Sequence, residues 1–160
     1  MFFIILSVGI IFIVGIFYIA LHNTQKDVTK KLPFSDFMDT ELPLKREAVL
    51  VKNTTPLSYL KPYLLVAKGD QIHPEITEKY DLPIGATIRL GRAVAIKNAV
   101  SGFSTNVVVG TIYVDELKAN VEFEYVWGKE QFTLEPGAKR TWKFPLALWQ
   151  EFPVSGVFTF

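Results

Sequence analysis

The sequence predicts a mainly β domain, built as a small antiparallel barrel or sandwich, behind one N-terminal transmembrane helix. Nineteen residues without a charge, from Phe2 to Ala20, indicate the membrane helix. Behind them, apolar and polar residues alternate in short runs such as 120–127, a pattern typical of half-buried strands. Helical signals are confined to two short stretches, 74–80 and 145–152. Many short strands with few helices favour an antiparallel β architecture.

Composition sets the size and class of the domain. The chain has 160 residues, of which 49% are hydrophobic and 14% aromatic. One domain of this composition can bury a hydrophobic core without disulfides or metal ions to stabilise it. Its net charge is +1, from 17 basic and 16 acidic side chains. Nucleic-acid binders usually carry a clear basic excess, so no nucleic-acid partner is expected. The absence of cysteine removes disulfides, thiolate nucleophiles and cysteine-ligated metal sites.

The first segment, FFIILSVGIIFIVGIFYIA, has the length of a membrane span. At about 1.5 Å per residue its helix would measure roughly 28 Å, close to the ~30 Å hydrocarbon core. A cleaved signal peptide would need a positive n-region and small residues before the cut; this segment has no Lys or Arg before its apolar run, and Tyr18 and Ala20 make a poor small-x-small site. We therefore predict a single-pass anchor over residues 1–21, embedded in the lipid bilayer through residues 2–20. Its interfacial aromatic residues are Phe2, Phe3, Phe17 and Tyr18.

The segment behind the anchor, residues 22–46, mixes charges with two prolines and predicts a tether. Lys26, Lys30 and Lys31 follow the helix closely, and the positive-inside rule then favours a cytoplasmic domain. Three lysines are a small bias, so both sides of the membrane stay open. Acidic residues interrupt the basic ones, which favours a solvated tether over a lipid-binding run.

Residues 47–160 form the predicted β-rich domain. Its strands are 47–52, 86–98, 106–114 and 120–127, with smaller extended pieces at 131–134, 140–144 and 154–160. Gly91–Arg92 interrupts the second strand as a bulge would. Residues 106–114 are apolar on both faces, which is typical of a central strand. In 120–127, Glu122 and Glu124 alternate with apolar residues and predict a solvent-facing side.

One stretch resembles a known family. The run Leu82-Pro83-Ile84-Gly85-Ala86-Thr87-Ile88 is similar to the strand entry common in bacterial SH3-like barrels, and a hairpin and a strand ending in aromatics follow it. The resemblance covers about residues 80–127. Modules of that family bind peptides, cell-wall strands or neighbouring proteins. The resemblance therefore implies a binding barrel and assigns no role to individual residues.

No catalytic or metal-binding pattern is present in the sequence. A catalytic dyad would have to use His73, which stands beside a proline in a polar loop, because His22 lies at the edge of the anchor. The glycine patterns of nucleotide sites, the Gly-x-Ser-x-Gly elbow and the His-Glu-x-x-His zinc motif are all missing. Glu122 and Glu124 could be a pair of glycosidase carboxylates, but the solvent-facing side of a strand is the simpler interpretation. We expect no catalytic residue, no metal and no cofactor.

Aromatic residues concentrate in the C-terminal third, and two interpretations stay open for them. They could fill the core, or some could line an exposed groove, since Trp and Tyr dominate binding hot spots. The candidate binding residues are Tyr125, Trp127, Trp142 and Trp149. Ser101 and Phe103, in the polar loop 98–105, form a second candidate contact surface.

These observations favour a membrane-anchored, non-enzymatic module that binds a protein or a cell-envelope partner. The alternative is a small structural subunit of a larger membrane complex, whose aromatic surface packs permanently against its neighbours. An envelope hydrolase that uses His73 is the third possibility.

Overall fold

The computed structural model describes residues 14–16, 18, 22–52, 60–70, 78–131 and 140–159. These residues form nine strands and one 3-10 turn, Phe34–Asp36. The strands are β1 (Thr24–Asp27), β2 (Glu41–Pro43), β3 (Ala48–Lys52), β4 (Tyr63–Ala67), β5 (Glu78–Leu82), β6 (Thr87–Lys97), β7 (Ser104–Val114), β8 (Ala119–Gln131) and β9 (Thr141–Lys143). The prediction of a mainly β chain is confirmed.

All nine strands belong to one sheet, in the order β1-β6-β7-β8-β4-β3-β5. The short strands β2 and β9 add to β6 and β8 respectively. Every pairing is antiparallel except that of β4 with β8, which is parallel. Within the described ranges no pairing joins β1 or β2 back to β5, so the sheet is open there.

Three long neighbouring strands, β6, β7 and β8, form the centre of the sheet. The central position predicted for residues 106–114 is confirmed, because β7 pairs with β6 on one side and β8 on the other. Two turns connect these strands at opposite ends of β7. We call residues 98–103 the proximal turn and residues 115–118 the distal turn. At about 3.3 Å per residue, the 11 residues of β7 separate them by roughly 35 Å.

The bulge predicted at Gly91–Arg92 is confirmed by a break in the β6–β7 register between Leu90 and Arg92. Leu90 and Ala93 are both fully buried, on the side of the main core. Arg89 and Arg92 are both exposed. The extra residue of the bulge therefore keeps Leu90 and Ala93 on the core face and places Arg89 and Arg92 together on the other face.

Residues 22–46 are not a tether, which corrects the predicted domain boundary. β1 and β2 both pair with β6, one with its second half and the other with its first. Phe34, between them, is fully buried in the core. The segment looked like a linker because its strands lie at the edge of the sheet, where exposed polar side chains leave no apolar alternation to detect.

The two helical predictions are not met in the described residues. Residues 145–152 contain a turn and no helix, and the Pro145 carbonyl there accepts a hydrogen bond from Nε1 of Trp127 at 2.8 Å. Residues 78–80 of the other stretch belong to β5, and 71–77 lie outside the described residues. The strand predicted at 154–160 is reduced to one bridge between Phe158 and Trp142.

The predicted anchor, residues 1–21, lies outside the described residues except for 14–16 and 18, which are helical. Among the residues that are described, no helix combines the length and the apolarity needed to cross a bilayer.

Candidate functional site

The outer face of the central strands carries an open groove of about 420 Å³. It lies over β6, β7 and β8, on the side opposite the main core, and the residues just before β4 form one wall. The groove is lined by Leu60, Lys61, Arg89, Gly91, Arg92, Val109, Gly110, Thr111 and Glu122. We refer to this hollow as the arginine groove.

The β6 bulge is the reason that two arginines meet in this groove. Side chains three positions apart on a regular strand point to opposite faces, because the pleat repeats every two residues. Arg89 and Arg92 are three apart, yet both line the groove, since Gly91 is the extra residue between them. The bulge thus places a pair of guanidinium groups on one surface.

The two arginines differ in how far their charges are neutralised. Nε of Arg92 lies 3.3 Å from Oδ2 of Asp27, and both side chains are more than half exposed, so the pair is weak. The backbone N–H of Thr29, which donates to Asp27, is the main cause that lowers the pKa of the Asp27 carboxyl, and Arg92 lowers it further. Arg89 has neither a salt bridge nor a side-chain hydrogen bond to any described residue. Its charge is therefore available to a ligand.

A buried carboxylate holds the wall of the groove in place. Oε2 of Glu124 accepts hydrogen bonds from the backbone N–H groups of Leu60 and Lys61, at 2.7 and 3.0 Å. Glu124 is only 1% exposed. Nζ of Lys61 in turn lies 2.6 Å from the carboxylate of Glu122, on the same face of β8. The wall is thus fixed to β8 by two neighbouring carboxylates.

The burial of Glu124 corrects the prediction of a wet face on this strand. Glu122 is exposed as expected, and Glu124 is covered by the end of the β3–β4 connection. Leu60, in that connection, packs on a small apolar cluster of Val94, Ile96 and Val107. Alternation along a single strand shows which side chains share a face. It does not show whether a distant segment covers that face.

Positive charge continues from the arginine groove along the outer surface. Gly91 and Arg92 also line a second hollow, together with Asp27, Thr29, Lys30 and Lys31. The two hollows together contain five basic side chains and two acidic ones, Asp27 and Glu122. The guanidinium group of arginine can donate two parallel hydrogen bonds to a carboxylate or a phosphate, so this surface suits an acidic ligand.

The tryptophans predicted as binding residues belong to the core. Trp127 is fully buried, and the rings of Phe34, Phe144 and Trp149 meet it edge-on at centroid distances of 5.0 to 5.7 Å. Trp142 and Trp149 are 5% and 4% exposed. These tryptophans therefore fill the interior and do not form an exposed groove.

The other candidate binding residues are divided between core and surface. Tyr125 is half-buried, its ring centroid lies 5.2 Å from that of Trp149, and burial raises the pKa of its hydroxyl. Ser101 and Phe103 are both exposed, in the proximal turn. Neither of them lines the arginine groove. The structure thus brings the aromatic candidates together in the core and leaves the loop candidates in the turn at the ends of β6 and β7.

None of the groove residues is among the binding residues predicted from the sequence. Arg89 and Arg92 carried a usable signal, because a bulge predicted at Gly91–Arg92 implies that residues 89 and 92 share a face. No sequence pattern predicts the position of Lys61, since that position depends on the contact between Glu124 and the end of the β3–β4 connection.

Histidine chemistry has little support in the described part of the chain. His22 is exposed, and its ring stacks on Tyr18 at 5.7 Å. His73 lies outside the described residues. The described residues include no group of three or more His, Cys, Asp or Glu side chains that could hold a metal ion.

Comparison with known proteins adds no family to this description. No protein-family model, no curated protein and no solved structure matches the chain.

Proposed function

We propose that the chain is a membrane-anchored, non-enzymatic binding module that uses the arginine groove to hold an acidic partner. The partner would present carboxylate or phosphate groups, as part of a protein or of an envelope polymer. The observation that carries the proposal is the β6 bulge, which turns Arg89 and Arg92 into one groove while Arg89 has no ionic partner among the described residues.

The anchor in this proposal is the uncharged run from Phe2 to Ala20. β1 begins at Thr24, only four residues after that run. Such a short connection would keep the sheet close to the bilayer. Lys26, Lys30 and Lys31 favour the cytoplasmic side for the domain under the positive-inside rule.

The SH3-like resemblance of residues 80–127 is part of the same proposal. Leu82 ends β5, Ile88 lies in β6, and a turn with Gly85 at φ +89° joins the two strands. This local arrangement is compatible with the strand entry of such a barrel. Modules of that family bind peptides, cell-wall strands or neighbouring proteins, and a binding role of that kind would suit the arginine groove.

The chemistry of the groove favours a partner with repeated acidic groups. An exposed pair between an arginine and one carboxylate contributes only about 0.2–1 kcal/mol. Several such contacts made by one chain add up, since the second and later contacts are intramolecular. Lys30 and Lys31 in the neighbouring hollow extend the basic surface along which such a partner could lie.

The test is a double replacement, Arg89→Ala with Arg92→Ala, in the full-length chain held in nanodiscs of neutral lipid. Fluorescent poly-L-glutamate and polyphosphate serve as probes, and fluorescence anisotropy reports the Kd at low salt. We expect the double variant to bind about tenfold more weakly, because two charge-assisted contacts are lost.

The matched control is Lys79→Ala with Lys143→Ala. It removes the same charge from two exposed lysines that line neither hollow. An equal loss of affinity in both double variants would mean that the probes sense only net charge. The groove would then not be the binding site.

A further inference from the structure

We propose that the proximal turn, residues 98–103, rests in the surface of the same bilayer that holds the anchor. The inference depends on the membrane anchor of the proposed function, and it adds a second membrane contact together with an orientation of the sheet. It assigns a role to Phe103, which the arginine groove does not use.

The proximal turn is tied to the residues that follow the apolar run. Oδ1 of Asn23 accepts a hydrogen bond from the backbone N–H of Ala99 at 3.0 Å. The next residue, Thr24, pairs with Lys97 at the end of β6. Asn23 is three residues from Ala20, a distance of about 10 Å in an extended chain. A turn bonded to Asn23 is therefore held next to the bilayer surface.

The turn exposes two large apolar side chains three positions apart in sequence. Val100 is 78% exposed and Phe103 is 53% exposed. Single apolar residues on a surface are ordinary. Two on one six-residue turn, directly beside a membrane segment, form a small apolar tip that could enter the interface.

The backbone of the turn is bonded within itself. Oδ1 of Asn98 accepts from the N–H groups of Val100 and Ser101, at 2.9 and 2.8 Å. The backbone of Asn98 also donates to the carbonyl of Phe103 at 2.8 Å and accepts from Gly102 at 2.9 Å. Polar backbone groups must have partners before they can leave water. These bonds allow the tip to enter the interface at low desolvation cost.

Basic side chains lie just behind the apolar tip. Lys26, Lys97 and Arg140 line one hollow beside it. Nη1 of Arg140 also donates to the carbonyl of Gly102 at 3.2 Å, and Arg140 forms an ion pair with Glu130 at 3.0 Å. Basic groups at this depth would face the phosphates of anionic lipid headgroups.

The distal turn has the opposite character and supplies a control. It contains Asp115 and Glu116, and its one large apolar side chain, Leu117, is 39% exposed. Because it lies at the other end of β7, roughly 35 Å away, it should stay in water if the proximal turn touches lipid. The inference therefore orients β7 with Ser104 towards the bilayer and Val114 away from it.

The absence of cysteine makes a site-specific test direct. Val100→Cys, Phe103→Cys, Leu117→Cys and Ser7→Cys are made singly in the full-length chain and labelled with an environment-sensitive fluorophore. Each is reconstituted in vesicles of phosphatidylcholine and phosphatidylserine. Quenching is measured with lipids carrying a nitroxide at known depth and with aqueous iodide.

We expect the label at Ser7 to be quenched by deep nitroxides, and those at Val100 and Phe103 by shallow ones. Iodide should quench the two turn labels about threefold or more weakly than the label at Leu117, because an anion is excluded from the bilayer.

Two results would overturn the inference, and they have different meanings. If the Ser7 label is in lipid while both proximal-turn labels are as accessible to iodide as Leu117, the anchor stands and the turn does not touch the membrane. If the Ser7 label is itself in water, the anchor proposal fails, and the inference fails with it.

Discussion

Two glutamates on one face of β8 have the same side chain but different burial and different partners. Glu122 is exposed and pairs with Nζ of Lys61, while Glu124 is buried and accepts the backbone N–H groups of Leu60 and Lys61. A half-exposed ion pair contributes little free energy. A buried carboxylate that satisfies two amides contributes more, because those amides would otherwise lose their hydrogen bonds on burial.

We expect Glu124→Gln to lower the free energy of unfolding by about 1 kcal/mol or more, since one charged acceptor is replaced by a weaker neutral one. Hydrogen exchange at the amides of Leu60 and Lys61 should accelerate in the same variant. Urea unfolding of the full-length chain in detergent measures the first effect, and exchange read by mass spectrometry measures the second.

The control is Glu122→Gln, which should change the free energy of unfolding by less than about 0.5 kcal/mol, as surface substitutions usually do. Equal effects of the two replacements would contradict the structural role assigned to Glu124.

At the scale of elements, the bulge of β6 and the tight contact of β7 beneath it set the shape of the groove. Gly110 of β7 lies against the β6 backbone, and a Cβ built on it would be 2.7 Å from the carbonyl oxygen of Arg89 and 2.8 Å from Cζ of Phe123. A Cβ on Gly91 would meet no atom within 4 Å. The first glycine is required by packing, and the second is not.

Gly110→Ala should therefore destabilise the fold by about 1–3 kcal/mol, the usual cost of overpacking a core. Gly91→Ala should be neutral, or stabilising by up to about 1 kcal/mol, since it restricts the unfolded chain without a clash. Thermal unfolding of the two variants, measured under the same conditions, compares their stabilities. A loss at Gly91 as large as that at Gly110 would contradict this packing.

The sequence predicted the elements that repeat a pattern and missed those that do not. β3, β6, β7 and β8 were predicted from alternation or from apolar runs, and the bulge from Gly91–Arg92. β1, β2 and β5 are edge strands with many polar residues, so they lack the alternation that predicts a strand. β4 is a short, nearly continuous apolar run, which periodicity alone cannot distinguish from buried helix.

Basic side chains are concentrated on one surface of the molecule, although its net charge is close to zero. The net charge is +1, yet the arginine groove and its neighbouring hollow combine five basic side chains with two acidic ones. Those residues come from β1 and the segment after it, from the end of the β3–β4 connection, and from β6 and β8. Only the strand order brings them together. The site could not be predicted from the sequence because it depends on pairings between distant segments.

Three described features are arranged along the length of β7. The proximal turn, to which Asn23 is bonded, lies at one end, the distal turn lies at the other, and the arginine groove opens on the outer face between them. If residues 2–20 form the proposed anchor, the groove would open sideways, within reach of a partner that lies along the membrane. The proposed function depends on the arginine groove.

The most direct test is photocrosslinking in intact cells that make the full-length chain, with a photoreactive amino acid at Thr111 in the floor of the arginine groove. Lys79 on β5, which lines neither hollow, is the control position for the same probe. We expect an adduct from position 111 that disappears when Arg89 and Arg92 are both replaced by alanine, and none from position 79. An adduct at 111 that persists without the two arginines, or equal adducts at both positions, would contradict binding through the arginine groove.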